Sequence, residues 1–207
     1  MPTVFLLVRH GQTDWNKEIR FRGTTDLPLT PFGHAQAQRV AERLRSEPIA
    51  AIYSSPLSRA VETARPLAEA LGLPIQIHHG LISVDYGEWQ GHTPQEVSGL
   101  WLDLYRLWMQ SPDQVTFPGG ESLPIALDRA VALLNELSET LHGQTVALFS
   151  HEIVTRAVML YILGMNLSAY WRMPQDTACI NAFSYDPLKR SLFYLNDTCH
   201  VRGLDVK

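Results

Sequence analysis

Three short apolar runs, VFLLV at 4–8, AAIY at 50–53 and TVALF at 145–149, constrain this chain more than any other feature. In each, apolar residues follow one another without the polar alternation of a sheet face open to water, so both faces of the strand must be covered. Segments of helical character lie between them. Thr30 and Pro31 open one that runs to about Arg45, with the threonine as cap and the proline in the first turn, where its missing N–H is no loss. A second starts near Leu57, is expected to kink or split at Pro66, and ends at Gly72. Ser122 caps a third, whose Ala126, Ala130, Leu133, Leu134, Leu137 and Leu141 share one face, and a fourth follows His151. CINAFSY and SLFYL, separated by DPLKR, read as a strand hairpin. This alternation specifies an α/β fold, a three-layer sandwich with a mainly parallel central sheet and helices on both faces. No repeat, low-complexity tract or linker divides the 207 residues, so a single domain over 1–207 is expected.

Bulk properties exclude several function classes. The net charge is −4 and no Lys/Arg-rich block occurs, which argues against a nucleic-acid partner. The longest apolar stretch, AVMLYILGM at 157–165, is half of what a membrane span needs, and the N-terminus lacks a signal-like pattern. A cytoplasmic protein with no membrane association is therefore expected, with Cys179 and Cys199 as reduced thiols. His, Cys, Asp and Glu nowhere cluster at metal-ligand spacing, so neither a metal nor another cofactor is expected.

In open α/β sheets, ligands bind beyond the carboxyl ends of the strands. There the first run delivers Arg9 and His10, the second Ser54, Ser55 and Arg59, and the third Ser150 and His151. A lone histidine is usually a surface or core residue and a lone arginine a solvated charge, but two of each at one sheet edge call for an anion. With Arg20 and Arg22 added, the natural ligand is phosphate, onto which guanidinium groups fork. Gly11 is expected to let an oxyanion approach the backbone, and Thr13 and Asn16 to offer short donors. A neutral His10 could attack phosphorus and carry it as a phosphohistidine. A protonated His151 would then stabilise the equatorial oxygens together with the arginines.

Segments along the whole chain resemble the histidine phosphatase superfamily, in the branch that contains the phosphoglycerate mutases. The segments are RHGQTDWN (9–16), RFRGTTDLPLTPFG (20–33), YSSPLSRAVETA (53–64), DYGEWQG (85–91), FPGGES (117–122), SHEIVTR (150–156) and LNDTCH (195–200). The resemblance implies His10 as nucleophile, Arg9, Arg59 and His151 as the rest of the phosphate pocket, and Asn16, Arg22 and Gly23 as supporting contacts. Arg156 matches a family arginine, read here as an ion-pair partner behind the pocket.

One departure matters. Expelling an alkoxide at neutral pH needs a proton donor. The family's usual glutamate, four residues before the glycine of DYG, is Ser83 here, which remains in the expected substrate-binding set. Another branch, the acid phosphatases and phytases, carries its donor as a carboxylate directly after the second histidine, and Glu152 stands there. Glu152 is therefore the first candidate for general acid and Asp85 the second. Alternatively, Glu152 only favours the helix dipole of the first turn.

The resemblance further implies a phosphatase, since mutases of the family carry a longer insertion and lack GGES. The substrate would be a small phosphorylated metabolite, as in metal-independent phosphoserine phosphatase-like members. Phosphoglycerate mutase is the alternative within the family, and a phosphate-ester-binding or regulatory protein without turnover the alternative of another class. LWLDLYRLWMQ (100–110) places Leu100, Leu104, Leu107 and Trp108 on one helical stripe and Trp101 and Tyr105 on the next, where aromatic rings could line the substrate pocket. Assembly as a homodimer is left open.

Overall fold

In the computed structural model, which describes residues 1–204, six strands form one sheet in the order β3-β2-β4-β1-β5-β6. The strands are β1 (Thr3–Arg9), β2 (Ile49–Ser54), β3 (Ile75–Ile77), β4 (Thr145–Ser150), β5 (Ile180–Asp186) and β6 (Lys189–Asp197). β1, β2, β3 and β4 pair in parallel, while β5 and β6 add an antiparallel hairpin to the β1 edge. The helices are α1 (Asp14–Lys17), α2 (Pro31–Leu44), α3 (Ser58–Leu71), α4 (Pro94–Leu100), α5 (Leu102–Gln110), α6 (Leu123–Thr140) and α7 (Glu152–Ile162).

The unbroken apolar runs divide between two cores. Leu6, Val8, Ile52, Ala147 and Phe149 face α2 and α3, burying Val40, Leu44, Ala60, Ala64 and Leu67. Phe5, Leu7, Val146 and Leu148 face α6 and α7, and this core extends outward through Trp89, Trp108 and Phe117. The three-layer α/β sandwich expected from the sequence is the observed architecture.

Some local expectations need correction. α3 is not split at Pro66 and runs continuously to Gly72, which closes it in the left-handed conformation at φ 65°. Its buried face of Arg59, Ala60, Thr63, Ala64, Leu67 and Ala68 straddles the proline, and that packing outweighs one missing N–H. Thr30 caps α2 as expected, accepting from Gly33 N at 3.0 Å, but Ser122 makes no side-chain cap on α6. Residues 100–110 are not one helix: the chain breaks at Trp101, so Leu100 closes α4 and is exposed. β3 has no counterpart in the sequence reading. Cys179 is buried and Cys199 exposed, both as free thiols.

Candidate active site

The registers of β1, β2 and β4 place three strand ends side by side, with Arg9 opposite Ser150 and Ser54 opposite Phe149. The next residues, His10, Ser55 and His151, therefore meet at one edge. The two imidazole rings lie 5.2 Å apart between centroids. Around them opens a cavity of about 580 Å³, lined by Arg9, His10, Asn16, Arg22, Gly23, Arg59, Ser83, His151 and Glu152 among others.

The tautomers of both histidines follow from their partners. His10 Nδ1 lies 2.6 Å from the Gly11 carbonyl oxygen, which can only accept, so Nδ1 carries the proton and Nε2 keeps a free lone pair. Burial, and then the charges of Arg59, Arg9 and Arg22 beside a neighbouring His151, hold its pKa well below 6.5. His10 is thus neutral. Its backbone is fixed on both sides, with its N–H on Ser150 O and its carbonyl accepting from Ala178 N. His151 Nδ1 accepts from Arg59 Nε at 3.2 Å, so its Nε2 donates to Ser55 Oγ at 2.7 Å. Burial and the nearby arginines lower its pKa as well. In the free site His151 is therefore a neutral imidazole, because it sits among cations in a buried pocket.

Arg59 is positioned by its three nitrogens: Nε on His151, Nη1 on Thr25 O and Nη2 on Gly23 O. Burial and neighbouring Arg22 push its pKa down to about 9, which leaves it charged at neutral pH. Gly23 therefore acts through its carbonyl as a support for Arg59. Its φ of 53° favours glycine, and a Cβ there would stand 2.1 Å from Gln90 Oε1 and displace that side chain. Arg9 donates to Gln175 O and pairs with Glu152 Oε2 at 2.9 Å, while its buried Nε has no partner among the described residues.

Glu152 lies in the cavity wall, as its place after His151 suggests, but its surroundings change its chemistry. Its Oε2 faces Arg9 and, at 3.7 Å, Arg22, and its Oε1 pairs with Arg156 at 2.7 Å. Burial alone would raise its pKa, but Arg9, Arg156 and Arg22 outweigh it and hold the group below the ordinary carboxylate value. In the free site the three guanidinium groups favour the ionised form of Glu152. Asp85 is turned away, its Oδ1 accepting from Gly87 N at 2.8 Å. Ser83 lines the cavity, and Arg156 is the ion-pair partner that the sequence suggested.

Gly11 and Thr13 serve differently from expectation. A Cβ on Gly11 would meet Gly33 O at 2.6 Å, and its N–H donates to Thr63 Oγ1, so this glycine permits the loop to pack on α2 and offers nothing to an anion. The buried Thr13 hydroxyl donates to Asn16 Oδ1 at 2.9 Å. That bond occupies the amide oxygen of Asn16 and leaves its NH2 as the end suited to phosphate. Arg20 reaches only the cavity rim, held by Glu18, Gly91 O and Glu96.

Two quoted motifs prove to be scaffolding. In PGGES, Glu121 accepts from Asp85 N and pairs with Arg129, whose Nη2 donates to the Ile82 and Ser83 carbonyls, so the motif holds the segment carrying Ser83 in place. In LNDTCH, Asn196 bonds Asp176 and His200 donates to Ala178 O, fixing the loop on which Arg9 rests. Sequence reasoning missed Gln12, Tyr86, Asp176 and Thr177 in the cavity wall. For Gln12 the signal was its place inside the loop after His10. For Tyr86 it was its place in DYGEWQG, whereas Asp176 and Thr177 carry none, since only the fold brings them there.

Comparison with known proteins agrees with this geometry. The model of the histidine phosphatase superfamily (branch 1) matches residues 5–198. The chain is 35% identical over 196 residues to phosphoserine phosphatase 1 of Hydrogenobacter thermophilus, covering 95% of this chain and 93% of that one. Among solved structures, Bacillus stearothermophilus YhfR superposes with a TM-score of 0.91 at 28% identity, covering 97% of this chain and 100% of that one. A mutant phosphoserine phosphatase of Entamoeba histolytica in complex with phosphoserine superposes with a TM-score of 0.85 at 29% identity, covering 96% and 98%. Among the described residues no helix is long and apolar enough to cross a membrane.

Proposed function

The chain belongs to the histidine phosphatase superfamily, and from that premise we propose that it is a phosphatase of small phosphorylated metabolites working through a phosphohistidine on His10. One observation carries this reading: the Gly11 carbonyl fixes the Nδ1–H of His10, so the Nε2 lone pair is presented unprotonated to the cavity. Nε2 attacks phosphorus, the bond to the ester oxygen breaks, and water then cleaves the P–N bond to release phosphate. Arg9, Arg22, Arg59 and the Asn16 amide take the equatorial oxygens, with His151 as a neutral hydrogen-bonding neighbour. The cations needed to neutralise the transferring group are thus supplied by arginine. This supports a metal-independent reaction.

Glu152 can still be the proton carrier if the substrate sets its charge. A phosphate dianion competes for the arms of Arg9 and Arg22 and repels the carboxylate, so both effects raise the Glu152 pKa. Arg156 keeps the side chain in place meanwhile. Glu152 then takes up a proton, gives it to the leaving alkoxide, and as a carboxylate draws the proton from the attacking water.

The test is phosphate release from a panel of phosphorylated metabolites, with and without chelator, beside His10→Ala. Release that survives chelator and falls at least roughly a thousandfold in His10→Ala is expected. Loss on chelation contradicts the metal-free reaction. Ester binding without release would favour a binding protein, and interconversion of 3- and 2-phosphoglycerate a mutase.

A further inference from the structure

Beyond the phosphate-facing groups, the cavity carries an unusual balance of charge and apolar surface. Of its four arginines, Arg9, Arg22 and Arg59 converge on the His10 end, and Arg20 at the rim is already paired with Glu18 and Glu96. Of the two acidic groups in the wall, Glu152 is paired with arginines at the phosphate end, and the exposed Asp176 adds negative charge. A carboxylate beside the phosphate therefore finds, among the described residues, no cation beyond the phosphate end that is free to receive it, and meets the charge of Asp176 instead.

The remaining wall is aromatic and aliphatic. Tyr105, Trp108 and Met109 come from α5, Tyr170 and Trp171 from the turn after α7, and Ile19 from the loop after α1. Ile19, Met109 and Trp171 are 68%, 46% and 42% exposed, an apolar collar around the mouth where a protein normally places polar residues. Ile19 stands out further. Its backbone is held at φ 53°, a region that a β-branched residue rarely adopts. A strained, exposed apolar side chain on the lip of a cavity is the kind of outlier that points to a ligand contact. Trp108 and Trp171 are rigidly set, with rings 5.3 Å apart at 76° and the Trp171 indole N–H donating to Trp108 O.

We infer that the site selects phosphomonoesters of an uncharged alcohol with a planar or apolar body, the ring or chain lying in the collar of Ile19, Tyr105, Met109 and Trp171, over esters that carry a second anionic group. This deepens the phosphatase reading and rests on it. It also separates the chain from its phosphoserine-binding structural relative, whose ligand is small and zwitterionic.

The experiment compares kcat/KM for benzyl phosphate, phosphoserine and 3-phosphoglycerate, all three expelling a primary alkoxide, in the wild type, Ile19→Gly, Met109→Ser and His10→Ala. Burial of a phenyl ring in the collar is expected to favour benzyl phosphate over either acidic ester by at least about tenfold. That ratio should shrink several-fold in Ile19→Gly and in Met109→Ser. Ile19→Gly also relieves the strained backbone, so a fall in the ratio without a fall in stability distinguishes lost contact from damaged fold. A ratio near one or below, with release still dependent on His10, overturns the inference and leaves the phosphatase reading intact. An unchanged ratio in both collar variants overturns the assignment of the collar, and absence of release from every ester overturns both readings.

Discussion

Glu152 occupies one end of a helix, one wall of the cavity and the centre of three arginines, and the last of these decides its behaviour. Glu152→Gln removes the charge that Arg9 and Arg22 hold and frees them for phosphate. For an alkyl phosphate we expect kcat to fall by about two orders of magnitude while KM also falls, a split that a merely structural residue would not produce. For an aryl phosphate, whose leaving oxygen needs little help, the loss in kcat should stay within about tenfold. Equal losses for both esters would mean that Glu152 does not carry the proton. Its position next to His151 was legible in the sequence, but its ionisation was not. Arg9 and Arg22 come from different segments, and only the sheet edge brings them to one carboxylate.

The loop from His10 to Thr30 works as an element because it is pinned to the start of α2. Thr30 N–H donates to Gln12 O, Thr30 Oγ1 accepts from Gly33 N, and Gln12 N–H donates to Gln36 Oε1. Thr30→Ala should therefore lower unfolding free energy by about 1 kcal/mol in urea titration, the usual value of a cap. Gly33→Ala should be worse, since its Cβ would stand 2.2 Å from Gln12 O, and backbone must move to admit it. That variant should lose activity beyond its loss of stability, because the same shift displaces Gln12, two residues after His10. Activity that follows stability alone would contradict this. Elements with a strong local signal were readable: unbroken apolar strands, a threonine cap before proline, a closing glycine. β3 was not, being three residues at an open edge with two of them exposed, so no periodicity or burial marks it. Nor was the break at Trp101, where the apolar stripe continues although the backbone does not.

At the scale of the molecule, burying two histidines beside arginines makes stability depend on pH in a defined direction. His10 and His151 have pKa values well below 6.5 when folded, but regain about 6.5 when unfolded. Below pH 6.5 the unfolded chain thus binds more protons, and the stability contributed by the neutral pair is lost as pH falls. Between pH 6.5 and 5.5 the pair should lower unfolding free energy by about 2 kcal/mol, with half-buried His200 acting in the same direction. His10→Ala should show about half of the pair's loss, and a flat profile over this range would contradict the buried neutral pair. The α/β sandwich itself was readable because its cores follow from patterns spread over the whole chain. The cavity's aromatic side was legible only as a stripe on residues 100–110, since its other walls arise far away in sequence.

The claim on which the rest depends is the transfer of phosphate to Nε2 of His10. Rapid mixing with a radiolabelled aryl phosphate tests it most directly, since a good leaving group makes phosphorylation fast and lets the phosphoenzyme accumulate. The account predicts a burst of product and one label per chain, stable in alkali, labile in acid, located on the peptide containing His10 and absent from His10→Ala. Turnover with no trapped label, or a label on another residue, would contradict it.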